Sequence, residues 1–308
     1  MRPRQNTEQH KRLVRTILRW YVRQGRTLPW RNISNPYRVL LSEIMLQQTQ
    51  VHRVLGKFPL FVRRFPTLRS LADSAQRDVV IAWQGMGYNN RAVRLRRLAR
   101  IVMGRHKGKI PKTYDELASL PGIGRYTANA ILAAVYQCRV PVVDVNVRRL
   151  FSRLFWRMRA TTEMRSEEDI WNIAEKVLPR SRVYDWNQAL MDLGATICTA
   201  REPLCGKCPA VWLCASSRSI RRTTRERKHE PTRNGIPNRI YRGRLVEILR
   251  KHNRRGLPFE SLGNKIHPHY ASRHRHWLEE LVSGLEKDGL VRRQIRNGQG
   301  RKPWVVLA

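Results

Sequence analysis

Four of the five cysteines lie within one short segment, with six, two and five residues between successive members. They are Cys198, Cys205, Cys208 and Cys214. Four thiolates so close together can hold an iron–sulfur cluster or a single tetrahedral zinc ion. Zinc loops prefer two close pairs, whereas this segment has one close pair with a single cysteine on either side. The spacing therefore favours an iron–sulfur cluster, with zinc as the alternative.

Two acidic residues are candidates for chemistry, and the first interrupts an apolar segment, where an ionised carboxylate is costly unless it has partners. Asp144 lies in the segment Val143–Val147. Capping of a following helix is one role open to it, because aspartate is a common N-cap residue. Glu43 lies in the segment Ser42–Val51. In a desolvated pocket its carboxyl could keep a proton near neutral pH and act as a general acid, and the alternative is a surface glutamate on an amphipathic helix.

The segment Leu120–Ala128 places two glycines directly before a predicted helix. Glycines let the backbone turn tightly and approach a neighbour closely. The free N–H groups and the positive dipole end of the helix would then point at an anion, and a DNA phosphate is the natural ligand. The residues predicted to contact the DNA backbone are Gly122, Gly124, Arg125 and Thr127.

The balance of charge is strongly basic: 61 lysines and arginines stand against 23 acidic residues, for a net charge of +38. A polyanionic partner explains such a field, because each phosphate contact releases condensed counterions. We therefore predict nucleic acid as the partner; a generally basic proteome is the alternative. No secretory signal or bilayer-length apolar segment is present, and a membrane partner is disfavoured. We expect a monomer in the cytoplasm, associated with the nucleoid.

Helical periodicity runs through residues 1–215 and predicts an all-α fold there. A first helix is predicted over residues 10–25, successive helices over 36–157 and a further helical stretch over 166–195. The basic segment Arg221–Lys228 contains no apolar residue and predicts a linker, with a solvated charge run as the alternative.

The C-terminal part predicts three short helices followed by a β-hairpin, an order that resembles a winged helix. The predicted helices cover residues 241–252, 258–266 and 271–287, and the hairpin strands cover 291–296 and 303–307 with a turn at Asn297–Gly300. Basic residues of the third helix and the hairpin suit a groove-reading helix and a phosphate-contacting wing, with protein contacts as the alternative. They are Arg273, His274, Arg275, His276, Arg292, Arg293, Arg296 and Arg301.

The cysteine spacing and the segment Leu120–Ala128 resemble those of the helix-hairpin-helix DNA glycosylases of the endonuclease III superfamily. The resemblance implies a two-lobed helical glycosylase fold with a [4Fe–4S] loop. It also implies that Asp144, some twenty residues after the glycines of Leu120–Ala128, is the essential aspartate. Members that cut the DNA strand carry a lysine where this chain has Tyr126, and a phenol cannot form an imine. A monofunctional enzyme that removes a base with water is therefore implied.

Within this superfamily, residues 10–215 resemble the MutY family of adenine glycosylases, and Ser42–Val51 resembles its signature helix. The resemblance implies that Glu43 protonates a flipped adenine and that Asp144 stabilises the positive sugar. It further implies that a second pair of residues holds the site in place. This pair is Tyr126 and Asn146.

The same resemblance implies a set of base-binding residues. Gln188 would read the adenine edge, because its amide offers both a donor and an acceptor. Gln48 and Tyr88 would wedge into the base stack and support flipping of the target nucleotide. The full implied set is Arg26, Leu28, Trp30, Arg31, Gln48, Tyr88 and Gln188.

Two segments, Gly87–Arg91 and Asp144–Asn146, are closer to the thymine–guanine mismatch glycosylases of the same branch. Removal of thymine or uracil opposite guanine is therefore the alternative to removal of adenine opposite guanine or 8-oxoguanine. The C-terminal domain does not resemble the Nudix-like domain with which MutY checks for 8-oxoguanine. A non-catalytic DNA-binding protein on the same scaffold, or a zinc-loop regulator, would be a different class of function.

The predicted organisation is a glycosylase domain over residues 1–215, a basic linker over 216–236 and a winged-helix-like domain over 237–308. Inside the glycosylase domain, a six-helix lobe covers about 36–145. An iron–sulfur lobe joins residues 1–35 to 146–215. The predicted function is that of a monofunctional base-excision DNA glycosylase acting on a mispaired base.

Overall fold

Helices dominate the computed structural model, which describes residues 7–158, 164–217, 219–220, 232–252, 255–295 and 303–308. In chain order the helices are α1 (Thr7–Gln24), α2 (Pro36–Leu46), α3 (Val51–Arg64), α4 (Leu68–Asp73), α5 (Gln76–Ala82), α6 (Asn90–Arg105), α7 (Tyr114–Ala118), α8 (Arg125–Val135), α9 (Val145–Phe155), α10 (Glu167–Lys176), α11 (Val183–Thr196), α12 (Asn238–Lys251), α13 (Phe259–Ile266) and α14 (Arg275–Lys287). The strands are β1 (Thr232–Arg233), β2 (Ile236–Pro237), β3 (Leu257–Pro258), β4 (Val291–Gln294) and β5 (Trp304–Leu307). The helical fold predicted for the glycosylase part is confirmed.

The chain divides into two compact units. The first unit contains the described residues of Met1–Leu40, Lys112–Ser119 and Ile123–Glu226. The second unit contains those of Leu41–Pro111, Leu120–Gly122 and Arg227–Ala308. The C-terminal helices and strands thus share a unit with helices α3 to α6.

The first unit is built around helices α1, α9 and α11, whose apolar residues recur at helical spacing. Ile17 of α1, Phe151 of α9 and Trp186 of α11 belong to one core and are at most 1% exposed. Burial of such side chains contributes about 1.5–3 kcal/mol each. This core supports the N-terminal end of α9, where Asp144 and Asn146 lie, and α11, which carries Gln188.

The second unit has an aromatic core under helices α3 and α5. The ring of Phe61 meets Trp83 edge-on with a centroid separation of 5.7 Å, and it lies 4.9 Å from Phe65. Helix α4 begins at a capping box, in which Thr67 and Ser70 exchange side-chain and backbone hydrogen bonds. Helices α3 to α6 therefore form a packed base for the loops between them.

The C-terminal region of the second unit has the element order of a winged helix: α12, β3, α13, α14, β4, β5. Strands β3, β5 and β4 form an antiparallel sheet in that order, with Val291 opposite Leu307. Helix α14 places Trp277, Leu281 and Leu285 in the core of this region. The three predicted helices and the hairpin are confirmed, and the winged-helix resemblance rests on this topology.

Three local features differ from the sequence-based expectation or lie outside the described residues. The helical stretch expected over 166–195 is broken between α10 and α11, where Pro179 cannot donate a helical hydrogen bond and Arg182 has a φ of 55°. Strand β3 was not expected, because two residues carry no periodicity. The linker segment Arg221–Lys228, the turn Asn297–Gly300 and the residues Arg296 and Arg301 lie outside the described residues.

Among the helices that the structure describes, none is both long enough and apolar enough to cross a membrane.

Candidate active site

Glu43 lies in the middle of helix α2, on the second unit. Its neighbours Ile44 and Met45 are at most 2% exposed, and Glu43 itself is only 8% exposed. The prediction of a desolvated carboxyl therefore holds for its burial, and a surface glutamate is excluded. A carboxyl in such surroundings is held away from bulk water, as a general acid requires.

Gln48 and Tyr88 both have left-handed backbone conformations, with φ values of 53° and 43°. Both side chains are exposed, and Tyr88 is 55% exposed. Backbone strain of this kind persists only where the surrounding structure holds it, and it is concentrated at functional sites. Tyr88 is the second-last residue of the connection between α5 and α6, residues 83–89, which we call the Tyr88 loop.

Arg91 holds the turns that carry Gln48 and Tyr88. Its guanidinium donates to the carbonyl oxygens of Gln47 at 2.6 Å and Met86 at 3.2 Å, and to the hydroxyl of Thr49 at 2.7 Å. The side chain is 5% exposed, and burial lowers its pKa to about 10. A buried cation shared among carbonyl groups fixes both turns at once.

The glycine turn before α8 has the backbone geometry that the sequence predicts. Gly122 has a φ of +86°, a conformation that residues with a Cβ rarely adopt, and Gly124 is the N-cap of α8. Arg125 is exposed and stacks over the Trp171 ring at 3.8 Å. Thr127 is only 3% exposed, so its hydroxyl is turned away from solvent.

Asp144 is the N-cap of α9. Its Oδ1 accepts from the Val147 N–H at 2.7 Å, and its Oδ2 accepts from the Asn146 Nδ2 at 2.7 Å. Burial raises the pKa of Asp144, although these hydrogen bonds and Arg149 act in the opposite direction. Capping, the alternative left open by the sequence, is confirmed; it orients the carboxylate without neutralising its charge.

A hydrogen-bond chain connects Asn146 to the cysteine segment. Asn146 Oδ1 accepts from Arg149 Nη2 at 2.9 Å, and Arg149 also donates to the carbonyl oxygens of Gly194 at 2.6 Å and Cys198 at 2.9 Å. Helix α11 can approach Asn146 only because residue 194 is a glycine, since a Cβ there would lie 2.8 Å from the Asn146 Cβ. Asp144 is therefore positioned by residues that also contact the cysteine segment.

Tyr126 and Gln188, the other two candidates of the first unit, lie on α8 and α11. The Tyr126 hydroxyl lies 3.6 Å from the Met191 sulfur, and Tyr126 is half-buried. Gln188 is also half-buried, one turn before Asp192 on α11. Tyr126 packs against a small core that contains Ala130 and Val142, and its hydroxyl reaches α11.

Arg26 and Arg31 lie in the connection between α1 and α2, residues 25–35, which we call the first loop. Both form ion pairs with a buried aspartate. Arg31 makes a bidentate pair with Asp192, with distances of 2.8 and 2.7 Å, and Arg26 Nε donates to the same carboxylate at 2.7 Å. Asp192 is 0% exposed and Arg31 is 8% exposed. Leu28 and Trp30, between the two arginines, are 9% and 6% exposed. The first loop is therefore packed down on α11 by this ion pair.

The four clustered cysteines line one partly open cavity. Its other walls are largely apolar, formed by side chains that include Leu150, Leu154, Ile197 and Val211. Arg153 Nη1 lies 3.4 Å from the Cys198 sulfur and donates to the Thr199 carbonyl at 2.7 Å. In the part of the chain that the structure describes, no group of three His, Cys, Asp or Glu side chains has the geometry to hold a single metal ion.

Burial raises the pKa of Cys208 to about 12 and that of Cys214 to about 11, and neighbouring cysteines add to both shifts. Thiolates in this cavity therefore need positive charge, which a metal centre supplies. A four-iron cluster is larger than one ion, so its thiolates stand further apart than those around a single zinc. The donor set and the apolar walls fit such a cluster.

Several residues of these networks escaped the sequence analysis. Asp192 had a detectable signal, because it interrupts the apolar residues Leu190, Met191 and Leu193 on α11. Three buried arginines had no such signal, because in a chain rich in arginine nothing local indicates which guanidinium groups are buried. These arginines are Arg91, Arg149 and Arg153.

The helical fold, the Gly-x-Gly turn before α8 and the buried aspartate that caps α9 are those of a base-excision DNA glycosylase. The family model of the HhH-GPD superfamily base excision DNA repair proteins matches residues 41–176. The adenine DNA glycosylase of Mycobacterium tuberculosis is 39% identical over 239 residues, which cover 76% of this chain and 77% of that protein. The adenine DNA glycosylase of Mus musculus is 38% identical over 215 residues, which cover 67% of this chain and 42% of that protein. This chain therefore belongs to the MutY-like adenine DNA glycosylase family within the HhH-GPD superfamily.

Solved structures give the same class. The chain is similar to a thermostable thymine-DNA glycosylase with a TM-score of 0.63 and 29% identity, over 68% of this chain and 97% of that chain. An endonuclease III–DNA complex shares the fold, with a TM-score of 0.59 at 19% identity, over 69% of this chain and 97% of that chain. The family, fold class and enzyme class predicted from the sequence are confirmed.

Proposed function

We propose that this chain removes adenine mispaired with guanine or 8-oxoguanine in double-stranded DNA. The observation that carries the proposal is the buried carboxyl of Glu43, 8% exposed, on a helix that resembles the MutY signature. Its relatives in Mycobacterium tuberculosis and Mus musculus are adenine DNA glycosylases. Adenine leaves poorly until a ring nitrogen is protonated, and a carboxyl shielded from water is suited to supply that proton.

The proposed reaction is hydrolysis of the glycosidic bond in two stages. Glu43 gives its proton to an adenine ring nitrogen, the carbon–nitrogen bond breaks, and the bonding electrons leave with the base. The Asp144 carboxylate stabilises the positive charge left on the sugar. A water molecule then adds to the sugar carbon, and the Glu43 carboxylate accepts a proton from it. Asn146 holds Asp144 in orientation, and Tyr126 excludes the imine chemistry of strand-cutting relatives.

The proposed DNA contacts use the backbone as much as the side chains. The N–H groups in the first turn of α8 would bind a phosphate, with Gly122 and Gly124 shaping the approach and Arg125 adding charge. Because the Thr127 side chain is buried, Thr127 would contact the phosphate through its backbone N–H. Gln48 and Tyr88 would fill the space left by the flipped nucleotide.

The base itself would be read by Gln188 and enclosed by the first loop. Leu28 and Trp30 contribute apolar surface to that loop. Arg26 and Arg31 act through the shape of the loop, because Asp192 holds both guanidinium groups.

We further propose residues 1–215 as the catalytic part and 237–308 as a winged-helix domain, in a monomeric enzyme. Arg273 and Arg292 are exposed and suited to phosphate contacts. Arg275 and Arg293 already pair with glutamates of the same domain, and His274 is buried, so these three contribute less.

Removal of thymine or uracil opposite guanine is the second candidate. Two observations favour it: the similarity to a thymine-DNA glycosylase at 29% identity, and the segments Gly87–Arg91 and Asp144–Asn146. Asn89 and Val145 are the residues that depart from the adenine glycosylase pattern. They would then belong to the determinants of base choice.

Four labelled duplexes separate these candidates: A opposite 8-oxoguanine, A opposite G, T opposite G and U opposite G. Each is incubated with the enzyme and then treated with hot alkali, which cuts abasic sites. We expect cleavage of the A-containing strands after alkali and intact strands without it, because Tyr126 cannot form an imine. Cleavage of only the T or U strands would replace the substrate. DNA binding without any abasic site would indicate a non-catalytic binder.

We propose that Cys198, Cys205, Cys208 and Cys214 hold a [4Fe–4S] cluster. Such a cluster supplies positive iron charge to the thiolates and a rigid core to the loop between α11 and residue 214. Arg153 would donate toward the Cys198 sulfur, a contact that tunes the charge on that ligand. The cysteine loop would thereby be held against Arg149 and the Asp144 site.

A ligand substitution tests the cluster against its zinc alternative. Wild-type protein should be brown and contain about four irons and four sulfides per chain. Cys208→Ser should lose most of this iron, whereas Cys138→Ser should retain it, because Cys138 lies outside the cavity. A colourless protein with one zinc would replace the cluster. Equal iron in both variants would contradict the ligand assignment.

A further inference from the structure

A buried arginine of the winged-helix domain reaches into the α5–α6 region. Arg250 lies on α12 and is 8% exposed. Its Nη2 donates to the Val80 carbonyl oxygen at 2.8 Å and to the Asn89 Oδ1 at 2.9 Å, and its Nε donates to Val80 at 3.1 Å. Glu247, one turn earlier on α12, forms an ion pair with the same guanidinium.

The two partners of Arg250 flank most of the Tyr88 loop, one in the last turn of the helix before it and the other at its last residue. Val80 belongs to α5, and Asn89 follows Tyr88 and caps α6. Between them, Gly85 and Gly87 have φ values of 83° and 69°. A loop with two such glycines has many accessible conformations, so holding its ends together removes much of that freedom.

Other contacts show that this arrangement is an extended interface within the second unit. Gln84 Nε2 donates to Glu247 Oε2 at 2.9 Å, and Gln76 Nε2 donates to the Gly289 carbonyl at 2.6 Å. A Cβ at position 289 would lie 3.3 Å from Val93 on α6. The domain therefore contacts α5, the Tyr88 loop and α6 together.

Burying the Arg250 guanidinium at this interface costs free energy. A domain that was merely tethered to the glycosylase part would not need such a contact. Burial lowers the pKa of Arg250, although Glu247 acts in the opposite direction. A buried charge is tolerated only when its hydrogen bonds are satisfied. Arg250 satisfies them mainly with groups of the glycosylase part, so its environment exists only while the domain is docked on that part.

We propose that Arg250 is a positioning residue for the Tyr88 loop, and that the winged-helix domain takes part in base flipping by holding this loop in its DNA-reading conformation. The inference rests on the proposed function, in which Tyr88 wedges into the base stack. On the other side of the loop, Arg91 donates to Met86 and Gly87 at 3.2 Å each. Two buried arginines, one from α6 and one from α12, thus fix the same seven-residue connection.

Arg250→Ala in the full chain tests this role, with Lys251→Ala as the matched control. Lys251 is the next residue on α12, carries the same charge and is exposed. We expect Arg250→Ala to lower the single-turnover rate of base release about 10- to 100-fold, as small displacements of a site do. Affinity for undamaged duplex and its salt dependence should match those of Lys251→Ala, because no phosphate contact is lost.

Three further tests distinguish loop positioning from a general loss of folding, and the first of them does not depend on catalysis. Hydrogen exchange of residues 83–91 should be faster in Arg250→Ala than in the control. Asn89→Ala should cause part of the same rate loss and add little to Arg250→Ala, because both remove one contact. Arg250→Lys should lie between wild type and alanine, since lysine cannot bridge both partners.

The outcomes separate this inference from the proposed function. Equal rates and equal exchange in Arg250→Ala and Lys251→Ala would overturn the positioning role. Wild-type enzyme that releases no base from any of the four duplexes would overturn the proposed function. The exchange measurement still reports on the loop in that case.

Discussion

Asp144→Asn is expected to slow base release at least about 100-fold while leaving duplex binding almost unchanged. The loss follows from removing the negative charge that faces the developing sugar cation, and electrostatic groups of this kind are worth about 2.7–4 kcal/mol. Asparagine keeps the shape and still caps α9, because it is as good an N-cap as aspartate. The measurement is single-turnover release from the preferred duplex, with affinity determined in parallel.

The same substitution should not destabilise the protein. The folded-state pKa of Asp144 is raised above its ordinary value, chiefly by burial. The folded state therefore holds the proton more tightly than the unfolded state, and stability falls as pH rises through the folded pKa. At pH 7 the ionised carboxylate is a burden on stability, but the amide nitrogen of asparagine would face the Asn146 Nδ2 donor and lose that hydrogen bond. The two effects oppose each other, so the melting temperature should change little. A large drop in melting temperature would contradict this account.

The raised pKa also gives an acid limit for activity. In the proposed mechanism Asp144 must be ionised to stabilise the sugar cation. The rate should therefore fall in acid, with a midpoint above the pKa of an ordinary aspartate. Asp169→Asn is the matched control, because Asp169 is an exposed carboxylate in the first turn of α10. It should retain the wild-type rate and acid limb. Full activity in Asp144→Asn would contradict the catalytic assignment.

Glu43→Gln tests the proposed general acid, as Asp144→Asn tests the proposed carboxylate. Glu43 lies in the second unit. A glutamine cannot give a proton to adenine, and general acids contribute about 10²–10⁴-fold. Base release should fall by that factor with little change in duplex affinity. If Asp144→Asn is inactive and Glu43→Gln is active, the sugar chemistry stands and the proton donor is another group.

Asp192→Asn is expected to destabilise the protein by about 3–5 kcal/mol, the cost of removing one partner of a buried ion pair. Asp192 is 0% exposed and pairs with Arg31 and Arg26. The neutral amide would leave Arg31 buried without its counter-charge. Thermal or urea unfolding of the full chain measures the effect.

The pH dependence of this contribution has a defined sign. Burial acts to raise the pKa of Asp192, but hydrogen bonds from Arg31 and Arg26 outweigh it, and the pKa lies below its ordinary value. The folded state thus favours the ionised form, and the stabilisation is present above the unfolded pKa of about 3.9. It is lost as pH falls through the folded pKa. The difference between wild type and Asp192→Asn should therefore be full at pH 7 and smaller in strong acid.

Asp185→Asn is the matched control for Asp192→Asn. Asp185 lies on the same helix and pairs with Arg182, with side chains 32% and 47% exposed. Exposed pairs contribute about 0–1 kcal/mol, so this variant should unfold almost as wild type does. Equal stability of the two variants would mean that the ion pair under the first loop contributes nothing. Loss of base release at temperatures where Asp192→Asn is still folded would support a role of the first loop in the base pocket.

The two buried aspartates show what pairing does to a carboxylate. Asp144 is buried and receives neutral hydrogen bonds that only partly offset the effect of burial, so its pKa is raised and its expected role is chemical. Asp192 is covered by two guanidinium groups, so its pKa is lowered and its expected role is to hold the loop. Both interrupt apolar segments in the sequence, and only their partners distinguish them.

Local patterns in the sequence were enough to predict the class of this protein. Helical periodicity predicted the helices without knowledge of long-range contacts, and the glycosylase class followed from the resemblance carried by two local motifs, the Gly-x-Gly turn and the cysteine spacing. The winged-helix order followed from periodicity in the same way. The break between α10 and α11 was missed, because Pro179 alone does not reveal where the next helix begins.

The tertiary structure alone decided which charged residues serve as structural supports. In a chain with 61 basic residues, nothing local distinguishes the buried Arg91, Arg149 and Arg250 from the exposed ones. Their burial depends on partners that are far away in sequence, such as Val80 for Arg250 and Gly194 for Arg149. Long-range packing sets desolvation and hydrogen bonding, and these set whether an ionisable side chain binds DNA, orients a catalytic group or fixes a loop.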